Sequence, residues 1–124
     1  MSDKVQHISS LAELNALFAS TTYVAIDFTA TWCGPCKSIA PIYSGLSTKH
    51  SIPNVLAFAK VDVDAAQDVA AKYGISAMPT FLFFKDGKQV GVNGQPSIRG
   101  ADPRGLSAAA EKLASLAKAK AGQS

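Results

Sequence analysis

Cysteine and histidine are scarce in this chain. Of 124 residues only Cys33 and Cys36 are cysteines and only His7 and His50 are histidines. A zinc site usually takes a second Cys/His pair, which is missing here, so only a symmetric dimer pooling four sulfurs would complete one. A scaffold stapled by several disulfides is excluded outright. No run of Lys and Arg and no basic–aromatic interleaving occurs. The net charge of +3 and pI of about 9.0 therefore come from an interspersed surface, not a nucleic-acid footprint, and favour acidic partners at encounter. No apolar run approaches membrane-spanning length. The opening stretch MSDKVQHISSLAELNALF meets Asp3, Lys4 and Glu13 before any continuous apolar stretch, unlike the h-region of a secretory signal. The expectation is an intracellular protein of the cytoplasm, with the nucleus as a second compartment. Both are reducing and disfavour a persistent structural disulfide.

What the chain does have is a globular composition. At 48% hydrophobic and 17% charged it lies far from the disordered class. Its length suits a single domain over residues 1–124. Ser10 and Glu13 fit a capping box, with Leu11, Leu14, Leu17 and Phe18 at helical spacing behind it. A short strand is expected at Lys4–His7 before that helix. Thr22–Thr29 (TYVAIDFT) and Asn54–Val61 (NVLAFAKV) read as strands buried on both faces. Between them Pro35 suits a first helical turn, and Ile39, Ile42, Tyr43 and Leu46 form one apolar stripe reaching Lys49, with a kink expected at Pro41. Asp64 is placed to cap a short helix closed by Gly74. Thr80–Lys85 and Gln89–Val92 flank an Asp86-Gly87 hairpin turn. Asp102-Pro103 then opens a last amphipathic helix carrying Leu106, Ala110, Leu113 and Ala117, which frays at Gly122. The order β-α-β-α-β-α-β-β-α predicts an α/β fold, a central mixed five-stranded sheet with four helices in three layers.

The two cysteines sit where the second strand ends and its helix begins, the place where function gathers in such sheets. One helical turn apart, Cys33 and Cys36 can stand as a dithiol or close as a disulfide. The unpaired N–H groups and dipole at a helix N-terminus favour a thiolate, which makes Cys33 the nucleophile. Cys36, more enclosed, is the resolving thiol that attacks the mixed disulfide. A bridge over two intervening residues would remove little chain entropy, so a structural staple explains the pair poorly. Gly34 lets another backbone approach the sulfur, and Pro35 stiffens the turn. Neither adds the positive charge that would push the pair toward an oxidant, so a reductant is expected rather than an oxidase or isomerase.

Asp27 lies between Ile26 and Phe28 in a doubly buried strand, where a carboxylate is unfavourable unless bonded or paired. A solvated edge position is one explanation. A buried acid with a raised pKa, relaying a proton to or from Cys36, is the other. Lys60, in the next apolar strand, is either its charge partner or a side chain that snorkels to the surface. Pro79 opens a strand, and base rates alone point to a trans Met78–Pro79 bond.

Asp27-Phe28, Trp32-Cys33-Gly34-Pro35-Cys36-Lys37, Lys60-Val61-Asp62, Tyr73-Gly74-Ile75, Met78-Pro79-Thr80 and Gly100-Ala101 occur in this order at family-like spacing. Together they resemble the thioredoxin family over nearly the whole chain. Thr29-Ala30-Thr31 and the GVNGQPSIRGADP region are similar to its eukaryotic, fungal members. The resemblance implies the thioredoxin fold and protein-disulfide reduction serving cell redox homeostasis. It implies a redox-active Cys33–Cys36 disulfide and no bound cofactor or metal, with electrons supplied by NADPH through thioredoxin reductase. It further implies disulfide-containing clients such as peroxiredoxins and reductive enzymes. It implies a cis bond at Met78–Pro79, against the base rate, and active-site support from Trp32, Gly34, Pro35, Lys60 and Pro79. A shallow groove of Trp32, Gly34, Pro35, Ala77, Met78, Pro79, Gly100 and Ala101 would take an extended peptide by main-chain pairing, with Val63 adding an apolar edge. With no third cysteine to bridge copies, a monomer is expected, and the Trp32 face offers a weak dimer contact. A non-enzymatic adaptor on this fold would usually lack one cysteine or the buried acid. One departure stands out: between Gly87 and Gly100 the chain is several residues longer than the usual family hairpin. The excess is turn-like, and is either a tolerated excursion at the sheet edge or an extension that borders the groove and tunes which proteins dock.

Overall fold

The computed structural model describes residues 3–122. The elements are β1 (Val5–His7), α1 (Leu11–Ser20), β2 (Tyr23–Thr29), α2 (Gly34–His50), β3 (Leu56–Asp62), α3 (Gln67–Lys72), β4 (Thr80–Lys85), β5 (Lys88–Val90), β6 (Ile98–Arg99) and α4 (Pro103–Ala121). The sheet runs β1-β3-β2-β4-β5. β3 lies parallel to β1 and β2, whereas β4 is antiparallel to β2 and β5. All five expected strands are present. A sixth, of two residues, pairs Ile98 with Phe81 and Arg99 with Thr80 on the same side of β4 as β5.

Alternation along the strands builds two cores. Tyr23, Ala25, Phe58, Phe81 and Phe83 face Ile39 and Tyr43 of α2 and Leu106, Ala110 and Leu113 of α4. Val24, Ile26, Phe28, Val61 and Phe84 face Leu14 and Leu17 of α1 and Val69 of α3. With helices on both faces, β2 has no solvated side, which is why TYVAIDFT is apolar almost throughout. Tyr43 ties α2 to the sheet: its hydroxyl lies 3.0 Å from the Ala25 carbonyl and 2.8 Å from the Ala59 carbonyl, one on each of the two central strands.

Local signals explain most boundaries. Ser10 Oγ accepts from Glu13 N–H, one half of the expected capping box. The other half has moved one residue outward, since the Glu13 carboxylate accepts from the N–H and hydroxyl of Ser9. Asp102 accepts from Gly105 N–H and starts α4 with Pro103 behind it. Asp86 and Gly87 take φ of 52° and 78°, the left-handed pair of a two-residue hairpin turn. α2 runs unbroken through Pro41, whose ring nitrogen leaves the Lys37 carbonyl without its helical donor.

Three expectations fail locally. Asp64 does not cap α3, which begins at Gln67 after Ala66 with no side-chain cap. Asn54 is not in β3 but in the preceding turn, at φ 66°. β5 ends at Val90 instead of Val92, because the chain leaves the sheet at Gly91.

His50, in the last turn of α2, is 9% exposed, and its Nε2 is buried without a partner among the described residues. Burial pushes its imidazole below the ordinary 6.5, Lys49 and Lys118 add to the effect, and Glu111 opposes it. A depressed folded pKa means that the unfolded chain binds the proton first, so stability is present above about pH 6.5 and is lost as the pH falls below it. The urea midpoint is expected to drop more between about pH 7.5 and pH 5.5 in the wild type than in His50→Gln. Equal drops would refute this. Tyr43→Phe leaves both carbonyls without the hydroxyl and is expected to lower unfolding free energy by about 1–2 kcal/mol in urea titrations.

Candidate active site

β2 ends at Thr29, and Ala30 to Trp32 carry the chain into α2. Cys33 is the N-cap of that helix, its Sγ accepting the Cys36 N–H at 3.1 Å. Cys33 and Cys36 are joined as a disulfide with Cα atoms 5.3 Å apart. The expected contrast in burial between them is slight, at 5% and 3% exposure. They differ in what they face. Cys33 Sγ lies 3.7 Å from the Met78 carbonyl, where a thiol in the reduced form could donate. Cys36 instead lines a cavity of about 450 Å³ with Thr29, Lys37 and Lys60 among its walls. Ala30, Val63 and Met78 pack around the pair.

The Met78–Pro79 bond is cis, so the trans form expected from base rates is overturned in favour of the form implied by the resemblance. Because an X–Pro bond prefers trans by only about 0.5–1 kcal/mol, tertiary surroundings decide it. The Pro79 carbonyl accepts the Gly100 N–H at 2.8 Å, which pins the Gly100-Ala101 turn beside this loop. Gly100 has φ 92°, a conformation that side-chain-bearing residues rarely adopt. Thr80 Oγ1 donates to the Ala77 carbonyl at 2.7 Å and braces the loop from below. Ala77 and Ala101 are exposed, Met78 is half-buried and Pro79 is buried.

Gly34 and Pro35 are exposed in the first turn of α2, and a Cβ added at Gly34 would meet no atom of this chain within 4 Å. That open space is what a docking backbone requires. Trp32 is 66% exposed and held by its indole N–H, which donates to Asp64 Oδ2 at 2.8 Å. Asp64 is in turn set by its own N–H bonding Asp62 Oδ1. Sequence reasoning missed Asp64 in this role. Its position before a helix suggested a cap, and no local pattern links residues 32 and 64. The structure thus brings Trp32, Cys33, Gly34, Pro35, Val63, Met78 and Pro79 to one end of the sheet, with Ala77, Gly100 and Ala101 beside them.

Asp27 is not an edge residue. It is 1% exposed in the middle of β2, and its Oδ1 is buried with no hydrogen-bond partner among the described residues. Burial pushes its carboxyl from 3.8 up to about 7, while the charge of Lys60 pulls the other way. Lys60 is its register partner on β3, so the two side chains share a sheet face. The lysine is half-buried and reaches the cavity that Cys36 also lines. Lys60 thus faces Asp27 across the β2–β3 pair, opposes the rise of its pKa by charge and lines an open cavity. Asp27 lies on the sheet face that α2 covers, and its charge raises the neighbouring Tyr43 hydroxyl after the larger effect of burial. Among the described residues no group of three His, Cys, Asp or Glu side chains is placed to hold a metal ion, and no helix is long and apolar enough to cross a membrane.

Known proteins share this arrangement. The thioredoxin family model matches residues 6–110. A thioredoxin-like protein of Fusarium culmorum is 68% identical over 114 residues, covering 92% of this chain and 94% of that protein. Thioredoxin of Neurospora crassa is 60% identical over 121 residues, covering 98% and 95%. The crystal structure of Malassezia sympodialis thioredoxin superposes with a TM-score of 0.77 at 40% identity, covering 91% of this chain and 93% of that one. With its cysteine pair closed at the mouth of α2 opposite a cis-proline loop, the chain belongs to the thioredoxin family, in the company of fungal members, and is a protein-disulfide oxidoreductase working by dithiol–disulfide exchange.

Proposed function

We propose that the protein reduces disulfides in client proteins, with Cys33 as attacking thiolate, Cys36 as resolving thiol and Asp27 as proton relay. The observation that carries this is the position of Cys33 at the N-cap of α2, with the Cys36 N–H directed at its sulfur and the Met78–Pro79 loop in front of it. A helix N-terminus and a donated N–H both stabilise a thiolate. The Cys33 thiolate attacks one sulfur of a client disulfide. A Cys33–client bond forms, the client bond breaks, and the other client sulfur leaves as a thiolate that takes up a proton. Cys36 then gives its proton to the Asp27 carboxylate and attacks Cys33 Sγ, releasing the second client thiolate and closing the Cys33–Cys36 disulfide. Two electrons have passed to the client, and Asp27 returns its proton to solvent.

Asp27 suits this part because a carboxyl with a pKa of about 7 exchanges protons near neutrality. Lys60, the register partner of Asp27, also lines the cavity beside Cys36 and connects the two. Trp32, Gly34, Pro35, Val63, Ala77, Met78, Pro79, Gly100 and Ala101 form the client groove, where an extended peptide pairs with the main chain of the cis-proline loop. Recycling of the disulfide draws on NADPH through thioredoxin reductase, and peroxiredoxins are among the clients. The protein works as a monomer in the cytoplasm and nucleus.

Cys36→Ser is expected to accumulate a mixed disulfide through Cys33 on mixing with an insulin substrate, visible on non-reducing gels, whereas Cys33→Ser accumulates little. The reverse pattern would exchange the two roles. Coupled turnover with thioredoxin reductase and NADPH tests the recycling route. Asp27→Asn is expected to slow insulin reduction by up to ~100-fold and to remove the rate limb near pH 7. An unchanged pH profile would refute the relay. The same variant carries a stability signature. A raised folded pKa means that stability is fully present below pH 3.8 and lost as the pH rises through about 7. Asp27→Asn should therefore stabilise the oxidised protein at about pH 8 by ~1–3 kcal/mol, with the gain shrinking toward pH 4.

A further inference from the structure

Phe83 pairs with Val90 and Phe81 with Ile98, both antiparallel. Two steps along β4 are thus matched by eight along its neighbour, so β5 and β6 are one strand lane from which six residues are looped out. The loop has its own order. Val92 and Gln95 exchange backbone hydrogen bonds of 2.8 and 3.0 Å around Asn93-Gly94, whose φ values of 53° and 79° are those of a tight hairpin turn. Val92 is buried in the core beneath α4, and the Gln89 side chain donates to the Pro96 carbonyl at 3.3 Å. An anchored hairpin therefore stands at the sheet edge, where a plain β-strand would otherwise continue.

Its far limb builds a cavity. Pro96, Ser97 and Arg99 share about 170 Å³ with Ser76, Ala77 and Leu82. Ala77 belongs to the cis-proline loop, and Arg99 immediately precedes Gly100, which bonds Pro79. The cavity thus adjoins the groove through Ala77, which lines both. Its volume suits one side chain, being several times the ~30 Å³ share of a water molecule. Among the described residues, Arg99 is its only charged lining residue. We propose that this cavity is a specificity subsite, created by the looped-out hairpin, that takes an acidic side chain flanking the attacked cysteine of a client. The inference rests on the reductase reading above and adds to it a class of preferred substrate.

The test uses two disulfide-linked peptides, identical except for Glu or Lys at the positions flanking the attacked cysteine. Single-turnover rates are followed with the reduced full-length protein. The wild type is expected to reduce the Glu peptide about three- to fivefold faster at low salt, with the preference shrinking in about 0.5 M NaCl. Arg99→Ala should bring the ratio near one. Deleting Val92–Ser97, which joins Gly91 to Ile98 in register, should do the same. Lys118→Ala removes an equal charge from the exposed face of α4 and should keep the preference. A ratio near one in the wild type, or a preference that survives in Arg99→Ala, would overturn the subsite while leaving the reductase intact. Failure of the wild type to reduce either peptide would overturn the reductase reading, and the subsite with it.

Discussion

Strand β2 is hydrogen-bonded on both sides along nearly its whole length, to β3 in parallel and to β4 in antiparallel. The chemistry depends on where that pairing stops. Thr29 is opposite Asp62 and Phe28 is opposite Thr80, so β2 and β3 end, and β4 begins, at the same edge of the sheet. Three segments distant in the chain must therefore leave the sheet side by side: the turn into Cys33, the turn through Val63 and Asp64, and the Met78–Pro79 loop. Shifting either register by one residue would send every core side chain of that strand to the opposite face. The same burial that fixes the cores thus fixes the distance from Cys33 to the proline loop.

The burial has a second consequence. A strand covered by helices on both faces buries Asp27, whose Oδ1 finds no partner among the described residues. The carboxyl is held near neutrality by lack of solvation, with Lys60 supplying only partial relief. A residue unfavourable to folding is thus retained in a strand buried along nearly its whole length, on the face covered by the helix that carries Cys36. Tyr43 shows the contrasting case: its buried hydroxyl is fully used, bridging carbonyls of β2 and β3 and holding α2 against them.

Much of this was legible in the residues. The period of apolar positions, the caps at Ser10 and Asp102, the Asp86-Gly87 turn and the Cys-x-x-Cys at a strand-to-helix junction are local signals, and each stands where expected. Asp27 betrayed itself as a charge inside an apolar run. Asp64 was misread because a carboxylate ahead of a helix is a capping signal locally, whereas its actual partner, Trp32, lies 32 positions away. The excursion after Gly91 was visible as surplus length with an Asn-Gly turn. That its lane resumes as β6, and that Val92 is driven into the core, depends on contacts with β4 and α4.

By itself the sequence determined the order of elements, the pairing of two thiols one helical turn apart and the presence of an acid among apolar neighbours, because each follows from spacing along the chain. Tertiary packing set the cis form of Met78–Pro79, which the family resemblance had implied, and it alone decided that Asp27 Oδ1 finds no hydrogen-bond partner among the described residues, that Trp32 bonds Asp64 and that a cavity lies between Ala77 and Arg99. These depend on energies of about a kilocalorie per mole or on groups dozens of residues apart. Packing sets such terms, and local sequence does not.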